Sequence, residues 1–295
     1  MGPLARWGHA AVMGLIRRSP LPLGRFMFRA YHKALRTLRP TYCARAYFGA
    51  QFVCDPRDLI QRMILYFGVW EPDVSRVIER TLSPGDVFVD IGANIGYDSL
   101  LASQRVGPTG RVVAIEASAR TSALLRRNLA LNKAANVRAI NAAVADRAGR
   151  LDLYEISDGN IGAATTLASR GGQLIESVDA MPLEDILTRH EIACLRLIKI
   201  DIEGAEPPIL RRLIDRLALY PAGMDVIVEA SPSDDPAWRD VFDRLIGAGF
   251  VAYEIANEYD LEWYLTWRTP TPLRRIEVLP SRQQDLLFTR RPSIA

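Results

Sequence analysis

The stretch Asp86-Val-Phe-Val-Asp-Ile-Gly-Ala-Asn-Ile-Gly-Tyr-Asp-Ser-Leu100 constrains the fold more than any other part of the chain. Val87, Phe88, Val89 and Ile91 form a short apolar run between Pro84-Gly85 and Gly92, the pattern of a buried central strand. Residues 96–103 carry helical spacing, with Leu100 and Leu101 on the apolar side. Gly92-Ala93-Asn94-Ile95-Gly96 lies between. Glycine permits a sharp turn and leaves no Cβ in the way of an approaching ligand, and free N–H groups at a helix start hold an anionic group. Strand, Gly-rich turn and helix in this order predict a nucleotide-type site at the carboxyl end of a parallel strand.

The dinucleotide fingerprint has three glycines at fixed spacing, and Asn94 stands where the middle one would be, which counts against a nicotinamide dehydrogenase. The next strand, residues 111–116, ends in Glu116. An acid there accepts hydrogen bonds from both hydroxyls of a ribose. Asp90 at one strand end, the GxNxG turn and Glu116 at the next resemble the first two motifs of S-adenosylmethionine-dependent class I methyltransferases.

Beyond Glu116, residues 121–132 read as a helix and 137–141 as a third strand. Asp146 follows closely, where a polar residue reads an adenine amino group. Residues 151–156 read as an additional strand. Residues 158–172, rich in Gly, Ser, Thr and Asn, read as a loop over the site. Residues 195–202 form the fourth strand, whose alternation puts Leu197, Lys199 and Asp201 on one face and Ile198, Ile200 and Ile202 on the other. Gly204 and Glu206 open a helix. Residues 225–229 make a fifth strand ending in Glu229, 237–247 a helix, 250–255 a sixth strand and 284–290 a closing one. The aromatic, proline-punctuated residues 259–275 read as an insertion before that last strand.

Helices alternating with strands predict a parallel sheet covered on both faces. The expected fold is α/β, a class I methyltransferase (Rossmann-like) doubly wound, mostly parallel seven-stranded sheet with an antiparallel last strand. An N-terminal helical and extended extension, residues 1–45, precedes a domain spanning 46–295. Within the entry region, residues 20–39 read as one basic amphipathic helix, with Leu23, Phe26, Met27, Ala30, Tyr31, Ala34 and Leu38 on its apolar face and Pro40 ending it. Extended structure around Gly49 and helices over 58–66 and 73–82 follow.

Charge divides the chain unevenly. Residues 1–50 hold nine of its 37 Lys and Arg and none of its 34 Asp and Glu. A cationic arm on an acidic body marks contact with an anionic surface, or an arm folded over that body. The apolar run 10–16 is too short to span a bilayer, and Arg17-Arg18 without a cleavage signal argues against a secretory peptide. Three cysteines, Cys43, Cys54 and Cys194, fit reduced thiols in the cytoplasm. With no CxxC, no HExxH and three scattered histidines, no metal site is expected, a carboxylate-only Mg²⁺ site being the option left open.

The assembled segments resemble the FkbM family of methyltransferases. They are Gly68-Val-Trp-Glu-Pro72, Pro84 to Gly96, Asn128 with Asn132, Asp158-Gly-Asn-Ile-Gly162 and, most specific, Ile198-Lys-Ile-Asp-Ile-Glu-Gly-Ala-Glu206. The resemblance covers residues 45–230. It implies S-adenosylmethionine as cofactor and methylation of a hydroxyl on a sugar, glycolipid or polyketide-like acceptor. By this match Asp90, Gly92, Asn94 and Gly96 fall at the cofactor turn, Glu116 at the ribose, and Asp201, Glu203 and Glu206 at an acidic signature. Methyl transfer is an in-line displacement that the enzyme serves by alignment, and a hydroxyl needs a poised base. Asp201 is the first choice and Glu203 the second, with Lys199 and Glu229 completing a cluster whose division of roles stays open. Glu206 reads as an acid favourable at a helix start, and His190 as a surface residue. Two rivals remain in view. One is an S-adenosylmethionine-dependent nucleic-acid methyltransferase gripping phosphates with the basic arm. The chain lacks an Asn/Asp-Pro-Pro-Tyr/Trp strand end, so no nucleic-acid partner is expected. The other is a non-catalytic protein of the same fold at a membrane surface, which would have no need of the acidic cluster.

Overall fold

The structure, a computed structural model, describes residues 3–155, 164–167, 172–231, 236–267 and 269–291. Its elements run α1 (Pro3–Arg18), α2 (Leu21–Leu38), β1 (Tyr42–Arg45), β2 (Gln51–Cys54), α3 (Leu59–Phe67), α4 (Pro72–Thr81), β3 (Val87–Ile91), α5 (Tyr97–Val106), β4 (Arg111–Glu116), α6 (Ala119–Leu131) and β5 (Val137–Asn141). There follow β6 (Ala143–Val144), β7 (Gly149–Glu155), β8 (Ala164–Thr165), β9 (Gln173–Met181), α7 (Leu183–Ile186), α8 (Arg189–Ala193) and β10 (Leu195–Ile200). The chain closes with α9 (Glu206–Asp215), β11 (Asp225–Ala230), α10 (Pro236–Gly247), β12 (Val251–Ile255), α11 (Leu261–Thr266), β13 (Arg274–Ile276) and β14 (Gln284–Thr289). Of the loop expected over 158–172, the Asp158–Gly162 segment lies outside the described residues.

The chain divides into two units. The first comprises residues 1–72 and 257–270, and so reaches beyond the expected extension of 1–45. Pro20 separates α1 from α2, because a proline ring clashes with a continuing helix. Gly24 is needed where the helices meet: a Cβ there would lie 2.8 Å from the Ile16 carbonyl oxygen. β1 and β2 pair antiparallel, Tyr42 opposite Cys54 and Arg45 opposite Gln51. Asp58 caps α3 by accepting from the Gln61 N–H, and Gly68 ends it in the left-handed conformation. His9, Phe28, Tyr31, His32 and Tyr66 gather into one aromatic cluster, with Phe28 edge-on to Tyr66 at 4.9 Å between ring centres. Of α2, Gly24, Phe28 and Leu35 are buried, while Leu23, Phe26, Ala30, Ala34 and Leu38 are exposed. The apolar face expected from the sequence is therefore largely the one that this helix leaves in solvent.

The second unit comprises residues 73–256 and 271–295. Its main sheet has eight strands in the order β13-β12-β14-β11-β10-β3-β4-β5. β5, β4, β3, β10 and β11 are parallel, and β14 enters antiparallel between β11 and β12. These are the seven strands expected. The eighth, β13, comes from the end of the expected insertion and pairs antiparallel with β12 at the edge. The additional strand expected over 151–156 exists as β7, in a separate sheet ordered β6-β9-β7-β8. Right-handed crossovers run in opposite directions from β3, which places α5 and α6 on one face of the sheet and α9 and α10 on the other. Val87, Val89, Ile91, Ile198, Ile200, Val226 and Val228 are all buried in the core. No helix among the described residues is long and apolar enough to cross a membrane.

The strand order reverses between β3 and β10, and the two backbones nearly touch there. The Asp201 N–H donates to the Ile91 carbonyl at 3.0 Å and the Gly92 N–H to the Ile115 carbonyl at 2.9 Å. Gly92 sits at φ 84°. An ideal Cβ on it would lie 1.8 Å from the Asp201 carbonyl oxygen. What a side chain here would displace first is therefore the end of β10. Gly85 has a similar φ of 93° with nothing nearer than Thr109 Oγ1 at 3.9 Å, which makes it a matched control for backbone strain alone. Gly92→Ala is expected to cost about 2–3 kcal/mol, and Gly85→Ala about 1. Thermal denaturation should therefore separate the two, with Gly92→Ala melting about 4–10 °C lower than wild type.

Candidate active site

Register alone gathers most of the site. Paired residues on neighbouring strands point to the same face. Asp90 pairs with Lys199 and with Ala114, two residues before Glu116. Lys199 pairs with Ile227, two before Glu229, and Glu229 pairs with Asp285. Asp90, Lys199, Asp201, Glu116, Glu229 and Asp285 thus share one face at the carboxyl ends of β3, β10, β4 and β11. Asp285 follows from the antiparallel pairing of β14 and was not foreseen.

Lys199 is the buried cation of this edge. Its Nζ lies 3.0 Å from Asp98 Oδ2 and 3.1 Å from Asp201 Oδ2. Asp98, another residue not foreseen, stands in the first turn of α5, where the positive end of the helix dipole favours an acid. Its second oxygen, Oδ1, is buried without a hydrogen-bond partner among the described residues. Asp90 Oδ2 accepts from Ser99 Oγ at 2.5 Å. Burial, and then the negative charge of Asp98, push the Asp90 carboxyl up to about 7, against the pull of Lys199 and the Ser99 bond. Asp201 keeps 26 % of its side chain exposed. Its Oδ1 makes no hydrogen bond among the described residues.

The turn reaches Glu116 through its backbone. Asn94, at φ 50°, donates its N–H to Glu116 Oε2 at 2.8 Å, while the Ser118 N–H donates to Oε1 at 3.0 Å. These two bonds fix the carboxylate and leave each oxygen a further lone pair. Burial pushes Glu116 up to about 7 in spite of them. Gly96, at φ 87°, would bring a Cβ to 2.5 Å from Leu125 Cδ1, so protein atoms occupy that space.

Beyond β10 the chain turns sharply, with Glu203 at φ 57° and Gly204 at φ 99°, which is why the strand stops at Ile200 and not at Ile202. Glu206 holds this turn: its Oε1 accepts from the Ile202 and Gly204 N–H groups at 3.1 and 3.0 Å. The Glu203 carbonyl accepts from Thr165 Oγ1 at 3.0 Å. Glu229 is pushed well above the ordinary carboxylate range by burial, with the charges of Asp201, Asp285 and Glu203 adding to it. Asp146 lies past β6, where its carbonyl accepts from Arg212 at 2.7 Å; among the described residues no hydrogen bond ties it to the cluster. His190 is exposed at α8. Among the described residues no group of three or more His, Cys, Asp and Glu is arranged to hold a metal ion.

Asp90, Asp98 and Asp201 around one ammonium leave this edge negative, and burial raises Asp90 and Glu116 to about 7. Such an edge favours a cationic ligand. Glu116, presented at a strand end beside a tight turn, suits a ribose diol. S-adenosylmethionine carries both features, so the residues present fit it.

The family described as Methyltransferase FkbM domain matches residues 90–252. The 31-O-demethyl-FK506 methyltransferase FkbM of Streptomyces tacrolimicus is 32% identical over 197 residues, covering 57% of this chain and 74% of that protein. The arsenite methyltransferase of Halobacterium salinarum is 38% identical over a stretch of 56 residues, 19% of this chain and 14% of that one. Among solved structures, M. jannaschii TYW2 in complex with AdoMet is similar at a TM-score of 0.44 and 12% identity, covering 85% of each chain.

Acids that burial raises contribute stability that is lost as pH rises. Burial pushes Glu206 from 4.5 up to about 7. Between those values the folded chain holds a proton that the unfolded chain has released, so rising pH favours unfolding. The slope is at most about 1.4 kcal/mol per pH unit for each such group. Glu206→Gln keeps an oxygen for the Ile202 and Gly204 N–H groups and cannot ionise. Chemical denaturation from pH 5 to 7 should show its stability curve flatter than that of the wild type by about one group's slope.

Proposed function

The chain belongs to the FkbM methyltransferase family, and on that premise we propose that it methylates a hydroxyl of a sugar, glycolipid or polyketide-like acceptor. It is an S-adenosylmethionine-dependent methyltransferase. The observation that carries the finer reading is the Lys199–Asp201 pair. Lys199 holds one oxygen of Asp201 at 3.1 Å, so the partly exposed carboxylate is oriented and its Oδ1 is left to accept a proton. An acceptor that must lose a proton as it is methylated, as an alcohol does, has use for such a group. The name of the Streptomyces relative refers to an O-demethyl substrate, in keeping with transfer to oxygen.

When bound, S-adenosylmethionine supplies an electrophilic methyl group on a positively charged sulfur. In this reading Glu116, fixed by Asn94 and Ser118, accepts from the ribose hydroxyls. Asp90 and the Gly92–Gly96 turn border the cofactor, and Asp146 is retained as a candidate for the adenine. Asp201 takes the acceptor's proton on Oδ1. Lys199, bound to two carboxylates, positions Asp201 and does not itself act as a base. Glu229 lies near enough to feel the charges of Asp201 and Glu203; raised by burial, it is suited to carry a proton onward, and Glu203 is a further candidate acid. The nucleic-acid and non-catalytic readings gain nothing from the family match. The basic residues 1–45 suit peripheral contact with an anionic membrane on its cytoplasmic side.

Incubation with S-adenosylmethionine labelled in its methyl group, against a panel of glycan, glycolipid and polyketide alcohols, tests the acceptor class; labelling confined to amines or nucleic acid would overturn it. With an acceptor in hand, Asp201→Asn should lower kcat about a hundredfold to ten-thousandfold with little change in cofactor affinity. Glu116→Ala should weaken cofactor binding by about 1–3 kcal/mol in calorimetry. Near-normal kcat in Asp201→Asn would move the base to Glu229 or Glu203.

A further inference from the structure

The helix α2 has two apolar faces, and the fold uses one. Gly24, Phe28 and Leu35 are buried. At helical spacing on another side stand Leu23, Phe26, Ala30, Ala34 and Leu38, with Leu23 50% exposed, Phe26 70% and Leu38 71%. A soluble helix ordinarily turns a polar stripe to water on the side away from its core. In α1, Leu15 is 59% exposed on the face shared by Ala11 and Arg18. Large exposed side chains at regular spacing on one helix differ from the single apolar residues scattered over any surface.

Charge identifies what covers the stripe. Arg29, Lys33 and Arg36 are exposed and border it along one side, with Arg39 at its end. None of these four makes an ion pair among the described residues, whereas Arg25 is taken up by Glu262. Residues 1–50 contain no acid at all. A protein partner would have to bring a matching acidic rim to this face, and a second copy meeting it through the same face brings the same cations. An apolar stripe edged with unpaired Arg and Lys matches the layered chemistry of an anionic bilayer, with acyl chains below and phosphates beside. The long basic stems can lie along the interface with their charges among the headgroups.

We propose that α2 lies in the surface of an anionic lipid bilayer, with Leu23, Phe26 and Leu38 inserted at the headgroup–acyl boundary, Leu15 of α1 adding to the contact, and Arg29, Lys33, Arg36 and Arg39 on the phosphates. This rests on the peripheral-membrane reading of residues 1–45 and goes beyond it: attraction by charge alone needs no inserted side chain. The difference shows in salt, which screens the phosphate contacts and leaves apolar insertion in place.

Sedimentation with vesicles tests it, using phosphatidylcholine alone and mixed with phosphatidylglycerol, at low and at about 0.5 M salt. The full chain is compared with Leu23→Ser/Phe26→Ser and with Arg29→Glu/Arg36→Glu. All four positions are exposed, so melting temperatures should match the wild type and confirm folding. The expected result is binding to the anionic vesicles that survives in part at high salt, falls at least about tenfold in the apolar double variant, and loses its salt-sensitive part in the charge-reversal variant. Binding that high salt abolishes and that the apolar variant retains would overturn insertion and leave the electrostatic reading standing. No binding to either vesicle would overturn both. A wild-type dimer that Leu23→Ser/Phe26→Ser converts to monomer in analytical ultracentrifugation would assign the stripe to a second copy and overturn the proposal.

Discussion

A buried ammonium shared between two carboxylates organises the carboxyl edge of the main sheet. Lys199 reaches Asp98 on one side and Asp201 on the other, while Asp90 stands opposite it in the strand register. An unpaired charge taken out of water costs several kcal/mol, and pairing offsets this only when the geometry is close. Lys199 has that geometry. The acids around it are in excess, however, and burial raises Asp90 and Glu116 until both titrate near neutral pH. The edge thus holds protons that a bound cation can replace.

The same edge shows why a glycine opens the turn. β3 and β10 remain hydrogen-bonded one residue past the Ile91–Ile200 pair, through the Asp201 N–H and the Ile91 carbonyl. This brings the Asp201 carbonyl against Gly92. Asp201 is therefore placed twice, by its backbone against the Gly92 turn and by its side chain against Lys199. A carboxylate held at both ends is well suited to act at a fixed point, because precise placement of a reacting group supplies much of what catalysis requires.

Much of this was legible in the sequence because the signals are local. The apolar run before Gly92, the acid closing each strand and the alternation of Lys199 with Asp201 depend on neighbours a few residues apart. Asp285 was not legible, since its place depends on an antiparallel pairing with β11 across more than fifty residues. Asp98 read only as one more residue of a helix start. β13 was missed because Arg274-Arg275-Ile276 is too short and too charged to show alternation. The packed face of α2 was misjudged for a different reason: Phe28 and Leu35 on one side and Leu23 and Phe26 on another are both apolar, so periodicity could not decide between them.

The buried carboxyls of Asp90 and Glu116, raised toward neutral pH, are proposed to receive S-adenosylmethionine. Proton exchange on binding tests this most directly, by calorimetry of the wild-type enzyme at pH 7 in buffers of different ionisation enthalpy. Asp90 and Glu116, both near 7 in the free protein, should lose protons as the cation and the ribose hydroxyls favour their ionised forms. The expected result is net proton release with a cofactor affinity that strengthens as pH rises from 6 to 8. Binding with no proton exchange, or with uptake, would place the cofactor away from this edge and contradict the account.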